Sequence, residues 1–124
     1  MSWKGVIIEE SLDDKSLFNL VTTIKTEEAT LEEEEKKETL HFHNIILDED
    51  KKDEFIKKAK RSIKQGWYIH ICLNGRMVVI FKDRSFEFTE SEQDKIKQAH
   101  EYGLSIGIVK EQMEFQDMIT KPYS

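Results

Sequence analysis

The feature that most constrains this fold is an Asn74-Gly75 pair between two runs of strand-forming residues, 67–73 and 76–82. Asn-Gly readily adopts the positive φ angles of a two-residue type I′ turn, so the pair predicts a β-hairpin. Such a turn also fixes the register, because residues on either side of it must pair in order. The predicted pairs are Leu73 with Arg76, Cys72 with Met77, Ile71 with Val78, His70 with Val79, Ile69 with Ile80 and Tyr68 with Phe81.

This register makes both faces of the hairpin apolar. One face carries Ile69, Ile71, Val78 and Ile80, and the other, called here the Tyr68 face, carries Tyr68, His70, Cys72, Met77, Val79 and Phe81. A sheet face in water usually has a polar residue at every second position of a strand, so both of these faces need cover. A third strand after a tight turn at Asp83-Arg84 would add Phe86 and Phe88 to the Tyr68 face.

Size and charge predict one cytoplasmic domain over residues 1–124. A chain of this length builds one core, and its single cysteine, Cys72, cannot form an intramolecular disulfide. No apolar run approaches the roughly 20 residues of a membrane span, and the first residues lack a signal-peptide apolar segment. The net charge of −6 argues against nucleic acid as a partner, because phosphate binding needs a basic surface.

The negative charge is concentrated in one segment. Residues 27–38 contain seven glutamates and two lysines, including four consecutive glutamates. Such a run repels itself and resists packing, so we predict an exposed acidic loop at about 26–38, at the tip of a hairpin. A solubilising loop is the simpler interpretation, and an acidic docking surface for a basic partner is the alternative.

Alternation and periodicity predict the remaining elements. Residues 6–8 and 20–24 are expected to be extended, and 39–47 a strand with His41, His43, Ile45 and Leu47 on one face and Leu40, Phe42, Asn44 and Ile46 on the other. A helix is predicted from about Glu49 to Gln65, ended by Gly66, with Phe55, Ile56, Ala59 and Ile63 as its buried stripe. A second helix is predicted from Thr89, with Glu92 completing a capping box, to Gly103. A short helix reaches about Ile119.

Together these elements predict an α+β domain. Its core is a mostly antiparallel, twisted sheet of five or six strands, with the two main helices packed mainly on one face and a short C-terminal helix. The other face must then be covered by the N-terminal segment, by the C-terminal tail or by a second subunit.

Three segments carry a resemblance to known sequences. Residues 4–12 (KGVIIEESL), Trp67-Tyr68 with 78–81 (VVIF), and 101–108 (EYGLSIGI) with Glu111-Gln112 resemble an uncharacterised family of small prokaryotic proteins. The resemblance spans nearly the whole chain and implies one intact intracellular domain. It implies no activity, cofactor or functional residue. This chain has Val109 where the family pattern has proline, which leaves the start of the last helix open.

Four side chains form the sharpest chemical hypothesis. His41 and His43 alternate on one predicted strand, and His70 and Cys72 alternate on another. Imidazole and thiolate are ligands that zinc prefers, so the two pairs would form a tetrahedral site if they met on one sheet face. The usual zinc spacings are absent, and the alternative is that the histidines occupy the more polar side of a strand.

No pattern identifies an enzyme. The sequence has no phosphate-binding glycine loop, nucleophile elbow or His-Glu-x-x-His, and we assign no catalytic residue and no cofactor. The two-sided apolar hairpin instead predicts a non-enzymatic binding or interaction module, which forms a homodimer or docks on a protein through Tyr68, Met77, Val79 and Phe81. The alternative is a small-ligand or metal-binding protein, or a metal-dependent enzyme, with a site near His41, His43, His70 and Cys72.

Overall fold

The computed structural model describes residues 1–31 and 38–123. They form a single six-stranded sheet in which every described pairing is antiparallel, as the predicted α+β class requires. The strands are β1 (Ser2–Ile8), β2 (Thr22–Leu31), β3 (Glu38–Asp48), β4 (Ile69–Leu73), β5 (Arg76–Phe81) and β6 (Arg84–Thr89). Their order across the sheet is β2-β3-β1-β4-β5-β6.

Three α-helices accompany the sheet: α1 (Lys52–Ser62), α2 (Gln93–Ser105) and α3 (Phe115–Thr120). Short 3₁₀ helices lie at Glu9–Ser11, Lys15–Leu20, Glu49–Lys51 and Lys110–Gln112. Among the described residues, none of the helices has the length and apolar character needed to cross a membrane.

The predicted hairpin is confirmed. Asn74 and Gly75 have φ angles of 51° and 76°, as a type I′ turn requires, and five of the six predicted pairs, from Leu73–Arg76 to Ile69–Ile80, are present. The sixth predicted pair, Tyr68 with Phe81, lies outside the described ladder, because β4 begins at Ile69. Phe86 and Phe88 lie on the Tyr68 face as predicted, since they pair with Val79 and Met77. The turn before them is Lys82-Asp83 rather than Asp83-Arg84, because Phe81 pairs with Arg84 and Asp83 adopts a φ of 64°.

The two main helices lie on opposite faces of the sheet, which corrects the prediction that both would cover the same face. On the first face, called here the α1 face, Phe55 and Ala59 of α1 pack with Ile69, Ile71, Val78 and Ile80. On the Tyr68 face, Ala99 of α2 and Phe115 of α3 pack with Cys72, Met77, Val79, Phe81 and Phe88. The physical reason is the hairpin itself: each of its apolar faces takes one helix, so neither stays in water.

Each helix differs from its prediction at its ends. The first helix ends at Ser62 rather than Gln65, because Ile63 is extended and forms a bridge with Leu12. The second starts at Gln93 rather than Thr89, although the Glu92 carboxylate accepts the Thr89 N–H at 3.0 Å as the capping box predicts.

The end of α2 was predicted at Gly103, but Gly107 fulfils that role. Gly107 has a φ of 96°, its N–H donates to the Leu104 carbonyl, and the Ile108 N–H donates to the Gly103 carbonyl. These two hydrogen bonds form a Schellman motif, which needs a left-handed residue at the position of Gly107. Gly103 is instead a packing position, because a β-carbon there would overlap the Met113 side chain.

Strand β1 joins the two parts of the sheet. Gly5 pairs with Ile45 of β3 and with Ile71 of β4. A β-carbon on Gly5 would overlap the backbone carbonyl oxygen of His70, so only glycine permits this close approach. On the outer side of β3, β2 extends to Leu31, and residues 26–31 of the predicted acidic loop are therefore strand. At its other end the predicted loop overlaps β3 by one residue, Glu38, and the rest of it, 32–37, lies outside the described residues.

Candidate functional site

The two predicted ligand pairs lie on opposite faces of the sheet. His43 pairs with the fully buried Ile7, which places His43 and its alternate residue His41 on the α1 face. His70 and Cys72 point to the Tyr68 face, and β1 lies between their strand and β3. The predicted four-residue metal site at His41, His43, His70 and Cys72 is therefore wrong, because a sheet separates the two pairs.

Carboxylates surround His41 and His43. His41 donates its backbone N–H to Glu10 Oε1 at 2.6 Å and its Nδ1–H to Glu10 Oε2 at 2.8 Å, and its Nε2 lies 3.4 Å from Glu28. The hydrogen bond to Glu10 raises the pKa of His41 above its usual value. His43 contacts Thr26 and Glu9 through its two ring nitrogens, at 2.9 and 3.1 Å.

Three of the side chains around His41 and His43 are of types that bind metal ions: Glu9, Glu10 and His41 itself. Single ligand atoms of Glu9, Glu10 and His41 lie within 4.8 Å of one another, and all three residues are partly exposed. Ion pairing accounts for the arrangement, because both imidazole nitrogens of His41 already face acidic oxygens. The cluster fastens the 3₁₀ helix after β1 to β3.

His70 and Cys72 are buried separately and do not form a nucleophile pair. His70 donates its Nε2–H to the Pro122 carbonyl at 2.8 Å, and burial lowers the pKa of its imidazole. The Cys72 thiol lies 3.5 Å from the Met118 carbonyl, and burial raises its pKa to about 12. A thiol with that pKa is protonated near neutral pH and is a poor nucleophile.

The predicted interface residues are covered by the chain itself. Met77, Val79 and Phe81 are fully buried beneath α2 and α3, and Tyr68 is partly buried. Met77, Val79 and Phe81 therefore offer no exposed surface for docking, which corrects that part of the prediction, whereas Tyr68 remains partly exposed. The C-terminal tail, one of the three predicted covers for this face, supplies part of the cover over these residues through α3, and α2 supplies the other part.

The remaining part of the Tyr68 face carries a pocket of about 1040 Å³. Its floor is the β1–β3 side of the sheet, with Val6, Ile8, Leu40, Phe42 and Asn44. Leu40 is 2 % exposed, whereas Phe42 and Val6 are partly exposed, so the floor is apolar but reachable from solvent. Trp67, Tyr68 and His70 line the pocket toward β4.

The segment after α2 forms the opposite wall. Hydrogen bonds hold it on the sheet at three places: the Tyr68 hydroxyl donates to the Gln112 carbonyl, His70 donates to Pro122, and the Tyr123 hydroxyl donates to the Ile45 carbonyl at 3.1 Å. Ile45 lies beside the β-bulge at Ile24, where the ladder between β2 and β3 is interrupted. Tyr68 and His70 are thus positioning residues for this wall, and burial raises the pKa of the Tyr68 hydroxyl.

The walls differ in chemistry from the floor. Exposed carboxylates of Glu27, Glu111, Glu114 and Asp117 line the pocket, and Lys121 is the only lysine or arginine among its described lining residues. The arrangement is an apolar sheet surface beneath an acidic rim. Apolar clefts with a few polar groups at their edge are the usual form of small-molecule sites.

Sequence reasoning identified Tyr68 and His70 but missed the pocket floor. The alternation of β3 had shown Leu40, Phe42 and Asn44 on one face, opposite His41 and His43. What it did not supply was the strand order, which places that face beside the hairpin across β1. The sequence did show that both faces of β3 carry apolar residues, and this pattern could have indicated a second apolar surface beside the hairpin.

Comparison with known proteins finds no matching family model, no matching curated protein and no matching solved structure. The resemblance to an uncharacterised prokaryotic family therefore stays a prediction.

Proposed function

We propose that this chain is a non-enzymatic binding module that takes a small molecule with an apolar body into the pocket over β3 and β1. The observation that carries the proposal is the pocket itself: 1040 Å³ of space above partly exposed apolar side chains. Ligand sites in proteins are mostly apolar clefts of about 300–1,000 Å³ with a few polar groups, and the volume of this pocket lies just above that range.

Phe42 is the side chain most suited to contact such a ligand. It lies on the pocket floor and remains partly exposed, although its neighbour Leu40 is buried. An apolar ligand would remove the Phe42 ring from water, which favours binding by about 25 cal/mol for each Å² of apolar area buried. We therefore prefer the small-molecule interpretation to the predicted interface, because three of the four interface residues, Met77, Val79 and Phe81, are already in the core.

A cytoplasmic location belongs to the same proposal. Its support is the single cysteine, which lies buried as a free thiol between the sheet and α3. Free thiols of this kind persist in reducing compartments.

The test uses the neutral fluorescent probe N-phenyl-1-naphthylamine. We expect saturable binding with one site per chain, and about tenfold weaker binding for Phe42→Ala, because an aromatic contact is lost from the floor. The matched control is Phe18→Ala, a partly buried phenylalanine that packs on the α1 face. That variant should bind the probe as the unmodified protein does.

Two results would overturn the proposal. One is non-saturable probe binding, or equal weakening by Phe42→Ala and Phe18→Ala, which would remove the pocket as the site. The other is a solution mass, measured by light scattering, that doubles with concentration while probe binding falls. In that case a second copy of the chain would cover the pocket.

A further inference from the structure

The rim of the pocket carries an imbalance of charge. Four carboxylates line it, and Glu27 is the one whose ion pair is defined, with Lys25 at 2.8 Å. Within residues 1–31 and 38–123, Glu111, Glu114 and Asp117 take part in none of the ion pairs. Lys121 is the only lysine or arginine of the described lining that faces these four acids, so acidic side chains outnumber lysines and arginines around the pocket.

The three carboxylates belong to one short stretch with an apolar side and an acidic side. Met113 and Phe115 are buried in the core under the Tyr68 face, whereas Glu111, Glu114 and Asp117 are exposed. Core packing accounts for the two apolar residues of this stretch. It does not account for three acids on the side that faces the pocket. All three acids line the same pocket, so a cation bound there is attracted by each of them.

Aromatic side chains of the floor and the walls suit the rest of such a ligand. Phe42, Trp67, Tyr68 and Tyr123 line the pocket and add aromatic faces to its aliphatic surface. An alkylammonium group is attracted to aromatic faces as well as to carboxylates, and its hydrocarbon part is removed from water by the same contacts.

We propose that the ligand of this pocket is an organic cation: a primary or quaternary amine that carries an aliphatic or aromatic body. The inference rests on the proposed binding function and specifies its ligand class. The apolar body lies on Phe42 and the β1–β3 floor, and the charged nitrogen lies toward Glu111, Glu114 and Asp117.

The experiment compares three ligands with the same eight-carbon chain: octyltrimethylammonium, neutral 1-octanol and octyl sulfate. Each displaces the naphthylamine probe below its micelle concentration, at low and at physiological salt. We expect the cation to bind about tenfold more tightly than octanol at low salt and the sulfate more weakly than octanol, because each exposed charge contributes modestly. Added salt should shrink both differences.

Two triple variants provide the matched comparison. The first, Glu111→Gln with Glu114→Gln and Asp117→Asn, should bring the cation to within about twofold of octanol and leave the octanol affinity unchanged. The second is the control, with three exposed acids at the start of α1 replaced in the same way: Glu49→Gln, Asp50→Asn and Glu54→Gln. The control changes the net charge equally but lies outside the pocket lining, so it should keep the full preference for the cation.

The outcomes separate the two proposals. Equal binding of cation and octanol to the unmodified protein, or loss of preference in both triple variants, would overturn the cation inference while the apolar pocket stands. Absence of binding by all three ligands, together with the naphthylamine probe, would overturn the proposed function itself. Tighter binding of octyl sulfate would contradict the assigned charge.

Discussion

The two halves of the Tyr68 face differ in how far they are covered by the rest of the chain. In the half formed by β4, β5 and β6, residues Met77, Val79 and Phe81 are fully buried beneath α2 and α3. In the half formed by β2, β3 and β1, Phe42 and Val6 remain partly exposed and line a pocket. One continuous sheet surface is therefore core on one side and candidate site on the other.

The difference follows from what each strand contributes to the face. Paired strands β4 and β5 contribute apolar side chains at nearly every position, and such a surface gains the most from permanent cover. Strand β2 contributes Lys25 and Glu27 opposite Asn44 and Phe42, so a helix placed there would bury charge. A mixed surface of this kind stays accessible and can select a ligand.

The largest expected effect is a difference in the free energy of unfolding between variants in the two halves. Phe81→Ala should lower the free energy of unfolding by about 3–5 kcal/mol, because it leaves a cavity beneath α2. Phe42→Ala should lower it by only about 1 kcal/mol, because the ring is already partly in water. Urea unfolding followed by circular dichroism measures both. Equal losses would show that the two halves are equally covered.

The second-largest loss of stability is expected for a substitution in β1, the strand that joins the two halves of the sheet. Gly5→Ala should cost about 1–3 kcal/mol, because the new methyl group meets the His70 carbonyl oxygen and forces β1 away from β4. Gly66→Ala is the control: Gly66 has a φ of 91° but no atom near its β-carbon position, so it should cost about 1 kcal/mol. Hydrogen exchange should show the Gly5→Ala loss concentrated in the β1–β4 pairs. Loss confined to β6 would contradict this.

A smaller effect tests how the pocket wall is held. Tyr68→Phe removes the hydrogen bond to the Gln112 carbonyl and should cost about 0.5–1.5 kcal/mol. The same variant should raise amide exchange in residues 110–120. Tyr102→Phe, a partly buried tyrosine of the covered half, is the comparison and should leave that segment unchanged. An unchanged segment in Tyr68→Phe would show that packing alone holds the wall.

The smallest effects concern pH. The hydrogen bond to Glu10 raises the pKa of His41, so its contribution to stability is complete below the unfolded pKa of about 6.5 and is lost as pH rises through the folded pKa. Burial lowers the pKa of His70, so its contribution is complete above about 6.5 and is lost as pH falls through the folded pKa. NMR titration of the two rings should give midpoints on opposite sides of 6.5. His41→Gln and His70→Gln assign the signals, and midpoints on the same side would contradict the two environments.

Local patterns predicted most of the fold. Asn74-Gly75 was sufficient for the hairpin register, and the alternation of β3 was sufficient for its two faces. The helix ends depended on choices between neighbouring glycines, such as Gly103 and Gly107, which only the backbone conformation resolves.

The site was less predictable, because it depends on strand order. His41 and Cys72 were expected to meet if their strands were neighbours, but β1 lies between those strands and the side chains point to opposite faces. The pocket combines β3 with the segment that ends near Tyr123, which is 78 positions after its hydrogen-bond partner Ile45, and no local pattern links them. The apolar alternation of β3 was visible, but its consequence depended on long-range pairing.

Strand β1 also has a consequence for how the chain assembles. Strands β1, β2 and β3 lie within residues 2–48, and β4, β5 and β6 within 69–89, so each half of the sheet pairs locally in sequence. Among the described strands, the pairing from Lys4–Cys72 to Val6–His70 is the one that joins the two halves. During synthesis the edge of β1 that includes Gly5 can pair with β4 only after residues 69–73 have been made, and the core that both halves share is completed at the same stage. The close approach at Gly5 is therefore among the last contacts of the sheet to form, although Gly5 is among the first residues to be made.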